Sequence, residues 1–194
     1  MVFSSRPRRA GALTGLALLA AGAAFSPVAA EPVRDEATGL AIEPPAGYTA
    51  RKAEGDTRYA AVYAVQKGGE DDTGCKIAFQ PTPPAAGEPK LSQDDINAFT
   101  RKKEWTDLIR ATLALRYEVA TVEPFDHQGL MGAAVVADFK AVEGEEKPPE
   151  VRSYLVVIDT PKGRTTIVCV GDKAGFAGRR AEFEAVARSV SPPR

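Results

Sequence analysis

The amino-acid sequence predicts an α+β domain in which helices pack on a mostly antiparallel sheet. Extended segments with alternating apolar residues are separated by short connections rich in turn residues, which favours antiparallel pairing of neighbouring strands. Two other segments have apolar residues at helical spacing, one in the middle of the chain and one at its end. No internal repeat is found, so the sequence predicts a single globular fold instead of a repeat array.

The composition is that of a soluble globular protein, with 44% hydrophobic and 26% charged residues and a formal net charge of -1. It excludes a wholly disordered chain, a collagen-like repeat and a disulfide-dense mini-protein. Because no generally basic character is present, we expect no nucleic-acid partner.

The first thirty residues have the pattern of a secretory signal. A start with three arginines precedes an apolar stretch from Ala10 to Ala24, which is too short to span a bilayer comfortably. Small residues at Val28 and Ala30, the third and first positions before Glu31, suit signal peptidase. We therefore predict a cleaved signal peptide over residues 1–30 and a single α+β domain over residues 31–194. A retained N-terminal anchor is the alternative.

The predicted destination is the periplasm or the medium. Arg8 and Arg9 also allow the twin-arginine route, but Gly11 stands where that signal usually has a large apolar residue, which favours general secretion. Removal of the signal leaves 164 residues with a formal charge of -4. No second apolar run approaches the length of a membrane span, so we expect no stable membrane insertion after cleavage.

The first half of the mature chain predicts short strands and a hairpin. Prolines separate the segment Gly39 to Ile42 from a second strand at Tyr48. The alternation over 58–67, which places Tyr59, Ala61, Tyr63 and Val65 on one face, predicts a strand. A polar turn over 68–74 leads to a partner strand over 75–79. The proline tract over 81–89 should cross the surface without joining a ladder.

A helical region begins at Ser92, where Asp95 completes a capping box. Ile96 and Phe99 lie on one side of an ideal helix, whereas the next apolar stripe is rotated by about half a turn. The sequence therefore predicts a kink or two consecutive helices between Asp95 and Leu115. The second stripe contains Trp105, Leu108, Ile109 and Leu113.

The last third of the chain predicts strands followed by one amphipathic helix. The strands cover 118–122, 130–141, 151–160 and 165–170, with an exposed acidic loop over 144–149. The helix should lie on the sheet because apolar residues recur at one face, with charged residues elsewhere. Its apolar positions are Phe183, Val186, Ala187 and Val190.

The residues that usually carry chemistry indicate no catalytic, cofactor or metal site. His127, the only histidine, is predicted in an exposed turn, and Asp126 beside it points away on an extended chain. No Gly-x-Ser-x-Gly motif occurs, and neither cysteine has a closely spaced partner for zinc. Three further segments lack the signatures of a cation loop, a phosphate loop and a nucleic-acid surface; these are 70–72, 171–175 and 101–103.

Cys75 and Cys169 are predicted to form one disulfide. They are the only cysteines, both remain after signal removal, and an exported chain meets oxidants that favour pairing. Cys75 shares a strand face with Ile77, and Cys169 shares one with Ile167, so both side chains can point into one core layer. Two separate buried thiols are the alternative.

The order of elements resembles the PsbP/Mog1-type fold, an antiparallel sheet sandwiched by helices that occurs in small secreted bacterial proteins of unknown function. The resemblance is carried by the opening over 39–48, with its strand, proline, glycine and Tyr48, and by the close over 166–170 and 183–190. Known members of this fold are mainly accessory or binding proteins without a shared catalytic set. The resemblance therefore implies a fold and transfers no functional residues.

Three functions follow as hypotheses. The first is a periplasmic, non-enzymatic binding or assembly module of the cell envelope, which binds an envelope protein or ligand. It is favoured because the sequence has a single histidine and lacks the common nucleophile motifs. The second is a carboxylate-dependent hydrolase of envelope polymers, which requires two converging acids in a cleft, one with a raised pKa. The third is a purely structural role in envelope stress or host interaction, for which a broad apolar patch is expected.

Overall fold

The computed structural model describes residues 31–55, 57–68, 74–83, 91–141 and 150–194. The predicted signal peptide over residues 1–30 lies outside the described residues. So do the acidic loop over 144–149, most of the hairpin tip before Gly74 and the proline tract beyond Pro83.

The described residues form ten strands and three helices. The strands are β1 (Val33–Arg34), β2 (Ala41–Ile42), β3 (Tyr48–Lys52), β4 (Ala61–Lys67), β5 (Cys75–Pro81), β6 (Tyr117–His127), β7 (Leu130–Phe139), β8 (Val151–Thr160), β9 (Gly163–Asp172) and β10 (Val190–Ser191). The helices are α1 (Gln93–Thr100), α2 (Lys103–Leu113) and α3 (Phe176–Arg188).

The strands make one large and one small antiparallel sheet. The large sheet has the order β3-β4-β5-β9-β8-β7-β6, and the small one has the order β1-β2-β10. Short connections dictate much of this order, since Pro161 and Lys162 alone join β8 to β9 and Gln128 and Gly129 alone join β6 to β7. The predicted α+β class with a mostly antiparallel sheet is confirmed.

Helices cover both faces of the large sheet. On one face, Phe183 and Val186 of α3 are fully buried against a core that includes Ile167 and Val156. On the other face, Trp105 of α2 joins a second core cluster with the sheet residues that point the opposite way. Side chains alternate across a strand, so neighbouring residues of β7 and β8 supply both cores.

The second face is covered unevenly. Helix α1 contacts β7 and β8, and α2 contacts β6. The outer part of the same face, formed by β4, β5 and β9, keeps Ala78 and Val168 half-buried. This uneven coverage leaves open space beside the helices.

The helical predictions are confirmed, with one correction at each helical region. Two helices separate the two apolar stripes, as the rotation of the stripes requires, but Leu108 of the second stripe is 55% exposed. In the last element, α3 ends at Arg188, and Val190 lies in β10, where it pairs with Ile42 of β2. Val190 therefore reaches the core from a strand.

Three strand predictions were also inaccurate. Pro81 is the last residue of β5 and pairs with Gly163, and the next amide, that of Thr82, donates to the Lys162 carbonyl. The tract thus begins inside the ladder. Strand β6 runs to His127 through a proline, which is tolerated because β6 is an edge strand. Tyr59 lies just before β4 instead of within it.

Candidate functional site

Helix α1 is fixed by polar side chains at its start and in its middle. The Ser92 hydroxyl accepts from the backbone N–H of Asp95, and the Asp95 carboxylate accepts from the backbone N–H of Ser92, which completes the predicted capping box. Asn97 is buried, donates to the Gly129 carbonyl and accepts from the amide of Met131. The two contacts of Asn97 attach α1 to the β6–β7 turn and to the start of β7, and so fix its orientation.

Helix α2 directs its aromatic residue inward and one leucine outward. Trp105 is 2% exposed and Ile109 is 5% exposed, because both pack on the sheet. Leu108 lies one turn from Trp105 but on the flank of the helix, where none of the described strands covers it. The same holds on α1 for Phe99, which is 47% exposed.

A cavity of about 960 Å³ opens beside these two helices, and we refer to it as the α1–α2 groove. Three large hydrophobic side chains stand exposed along it: Leu91, Phe99 and Leu108. Among the described residues the remaining exposed large hydrophobic is Leu115, at the far end of α2 and outside the groove. The apolar lining is completed by Phe79, Pro81, Pro83, Ile96, Trp105 and Pro161.

The α1–α2 groove also has four charged side chains in its lining. Asp95 belongs to the capping box, and its hydrogen bonds with Ser92 lower its pKa. Asp159 holds Arg164 through two hydrogen bonds of 2.7 and 2.9 Å, from Nε and Nη2. Lys162, in the two-residue turn between β8 and β9, makes no ion pair with the described residues. The four charges of the lining sum to zero, but Lys162 is the one whose charged atom has neither an ion pair nor a hydrogen bond with the described residues.

A second cavity of about 710 Å³, the sheet-face cavity, opens on the same side of the large sheet. Arg164 lines the α1–α2 groove while Thr166 and Val168 line the sheet-face cavity, and alternate residues of a strand point to one face. The floor of the sheet-face cavity is the part of the sheet that α1 and α2 leave open. Tyr59 and Lys76 also contribute to the lining of this cavity.

Outside the α1–α2 groove, the described carboxyl groups with a shifted pKa take part in ion pairs within the fold. Burial by itself raises the pKa of Asp35, but hydrogen bonds from Lys52 and Thr38 outweigh it and lower the pKa to about 2. The Arg152 guanidinium, with help from Lys173, holds the pKa of Asp138 at about 2. Such lowered values suit permanent ion pairs and do not suit a general acid.

The pKa of Glu182 is also lowered, mainly by hydrogen bonds from Tyr48 and Lys67. Glu182 thereby joins α3 to β3 and β4. Asp35, Asp95, Asp138 and Glu182 are the carboxyl groups with a shifted pKa in the described residues, and all four shifts are downward.

The structure places His127 differently from the prediction of an exposed turn. It is the last residue of β6 and is half-buried, with its buried Nε2 atom lacking a hydrogen-bond partner among the described residues. Burial lowers the pKa of the imidazole, and a backbone hydrogen bond with Val190 opposes this shift. The turn itself begins one residue later, and β10 packs close to the imidazole.

The predicted disulfide is present. The sulfur atoms of Cys75 and Cys169 are bonded, with the Cα atoms 4.0 Å apart at facing positions of β5 and β9. Both residues are buried in the core beneath α3, so the bond lies on the opposite face of the sheet from α2 and the sheet-face cavity. In the part of the chain that the structure describes, His, Cys, Asp and Glu side chains form no group that could ligate a metal.

Sequence reasoning missed the α1–α2 groove. The sequence predicts Phe99 and Leu108 as members of apolar stripes, and it places Lys162 in the connection between the strands over 151–160 and 165–170. The available signal was the change of stripe between the two helices, because two short helices on one sheet cannot bury both flanks.

The fold is similar to that of cyanobacterial PsbP (CyanoP) from Synechocystis sp. PCC 6803, with a TM-score of 0.50 and 12% sequence identity over 84% of this chain and 91% of that chain. A protein of unknown function from Pseudomonas aeruginosa, PA94, gives a TM-score of 0.42 and 8% identity, over 84% of this chain and 97% of that chain. Models of protein families and curated proteins provide no match. The likeness to CyanoP shows a PsbP-like fold, as the element order predicts.

None of the helices within the described residues combines the length and the apolar character needed to cross a membrane.

Proposed function

We propose that this chain is an exported, non-enzymatic binding or assembly module of the cell envelope that works in the periplasm. Its binding site is the α1–α2 groove, which receives an apolar part of an envelope ligand or partner. One observation carries the proposal: of the exposed large hydrophobic side chains in the described residues, Leu91, Phe99 and Leu108 line a single groove. Exposed apolar residues that cluster in a concave site are typical of binding surfaces.

The energetics of the α1–α2 groove are consistent with reversible binding. Full burial of a leucine or phenylalanine side chain contributes roughly 1.5–3 kcal/mol, and these three are about half exposed. An occupant that covers them gains about 1 kcal/mol from each. The walls are already rigid, since Asn97 and Trp105 hold the helices, so little ordering of the protein opposes binding.

The disulfide supports export. Structural disulfides persist in oxidising compartments such as the bacterial periplasm and are rare where thiols are kept reduced. The bond between Cys75 and Cys169 lies in the core of the PsbP-like fold, and the N-terminal pattern is that of a cleaved signal.

The hydrolase hypothesis has no specific observation in its favour. The acids that line the α1–α2 groove are Asp95 and Asp159. Asp95 has a lowered pKa because it caps α1, and Asp159 is bound to Arg164. A general acid requires a raised pKa and a free proton to donate. We therefore retain binding as the proposed function.

Photo-crosslinking in intact cells tests the proposal. A photoreactive phenylalanine analogue is placed at Leu108 in the α1–α2 groove or at Leu115, an exposed leucine of the same helical region that lies outside it. We expect a defined crosslinked species from position 108, absent from position 115 and lost when Phe99→Asp places a charge in the groove. Equal crosslinking at both positions, or none at position 108, contradicts a binding role for the groove.

A further inference from the structure

The two acids and two bases that line the α1–α2 groove differ in whether their charged atoms have partners. Asp95 is held by Ser92, and Asp159 and Arg164 neutralise each other. Lys162 has no ion pair with the described residues, and it sits in the β8–β9 turn that borders the groove. A mainly apolar groove with one unpaired cation at its border is complementary to a molecule with an apolar body and one anionic group.

We propose that the α1–α2 groove binds a soluble anionic amphiphile, such as a fatty-acid anion, with its alkyl chain against Phe99 and Leu108 and its anionic group at Lys162. This inference rests on the proposed function, because it specifies the ligand class of the same groove. The cavity volume of about 960 Å³ lies at the upper end of the range for small-molecule sites.

The polar groups of the lining favour an alkyl chain over an extended peptide. The Thr38 hydroxyl donates to Asp35, the Thr100 hydroxyl to a helix carbonyl and the Thr160 hydroxyl to the carbonyl of Pro193. These are three of the four threonine hydroxyls in the lining, and their protons are already used inside the protein; the fourth, that of Thr82, makes no hydrogen bond with the described residues. A peptide brings an amide and a carbonyl with every residue, and each one buried without a partner costs free energy. An alkyl chain brings neither.

The charge of the helices argues against docking on an anionic membrane surface. Helices α1 and α2 with their junction carry as many acids as bases, so they present no net positive charge. Attraction to anionic lipids usually requires a cluster of basic residues on one face. The acids are Asp94, Asp95, Glu104 and Asp107, and the bases are Arg101, Lys102, Lys103 and Arg110.

Trp105 provides an internal reporter for the test. It is the single tryptophan of the chain, it is 2% exposed, and its side chain forms part of the groove lining. A ligand that enters the groove changes the surroundings of the indole ring, so binding can be followed by the intrinsic fluorescence of the unmodified mature protein.

The experiment titrates the protein with decanoate and with the neutral decanol, both below the concentrations at which they aggregate. We expect saturable fluorescence changes with both, and a preference for decanoate of about fivefold, the upper range of an exposed ion pair. Lys162→Gln should remove the preference and keep decanol binding. Leu108→Ser should weaken both ligands. The matched controls Lys76→Gln and Leu115→Ser should behave as the native protein does.

Each other outcome overturns the inference in a recognisable way. Equal affinity for decanoate and decanol excludes an anionic ligand but leaves the groove as an apolar binding site. A preference lost in Lys76→Gln instead of Lys162→Gln places the anion in the sheet-face cavity. A fluorescence change seen only with phosphatidylglycerol vesicles indicates a membrane surface. If no probe changes the fluorescence while position 108 still crosslinks to a protein, the groove is assigned to a protein partner. If neither a fluorescence change nor a crosslink at position 108 is found, the proposed function is excluded as well.

Discussion

Replacing Phe183 with alanine should remove a large part of the stability of the domain. The ring is fully buried beneath α3, with the ring centroid of Phe176 5.8 Å away and the Arg179 guanidinium 4.8 Å from its own centroid. A Cβ atom built on Gly171 would lie only 3.1 Å from the ring, so the strand beneath leaves no spare space. Phenylalanine-to-alanine changes at such sites cost about 3–5 kcal/mol.

That loss is large against the roughly 5–15 kcal/mol by which a domain of ordinary stability resists unfolding. Urea unfolding of the oxidised protein, followed by Trp105 fluorescence and circular dichroism, measures it. Phe99→Ala is the matched control: the same change at a ring that is 47% exposed should cost about 1 kcal/mol or less. If both variants unfold at the same urea concentration, or Phe183→Ala unfolds as the native protein does, α3 does not pack on the sheet as described.

Three further predictions concern the disulfide, the histidine and the N-terminus. Thiol titration of the denatured protein should find no free thiol before reduction, and reduction should lower the free energy of unfolding by about 4 kcal/mol because the Cys75–Cys169 bond closes a long loop; two free thiols would contradict this bond. The pKa of His127 is lowered in the folded state, so the unfolded chain takes up the proton first as the pH falls. The free energy of unfolding should therefore decrease as the pH drops below about 6.5, and it should decrease less in His127→Gln. Urea unfolding at several pH values measures this, and the same pH dependence in both proteins would disprove the effect. N-terminal sequencing of the exported protein should begin at Glu31, and recovery of intact Met1 in the membrane fraction would overturn the predicted export and processing.

Local patterns were sufficient for most of the elements. The capping box at Ser92 marks the start of α1 because it is a contact within one turn of chain. The alternation of apolar residues around Cys75 and Cys169 predicts that both side chains face the core. In the structure both face the same core, at paired positions of β5 and β9. In α3, the spacing of Phe183 and Val186 identified the buried face because a single sheet covers it.

The inaccurate predictions involve residues whose environment is made by distant segments. Nothing near His127 in sequence indicates that β10 packs beside it. The continuation of β6 to this residue depends on its place at the edge of the sheet, where Pro124 needs no second ladder partner. For Leu108, the spacing on α2 is the same whether a strand covers it or not.

The sequence by itself determined which residues alternate, where α1 begins, and which two cysteines were available to pair, because these depend on periodicity and on contacts a few residues apart. Only the tertiary structure decided the strand order and the position of α1 and α2 over β6, β7 and β8. That placement leaves Phe99 and Leu108 exposed in a groove that Lys162 also lines, and the three residues come from separate segments. The candidate site exists because two short helices cover only part of a seven-stranded sheet, and coverage is a property of packed elements that no local pattern encodes.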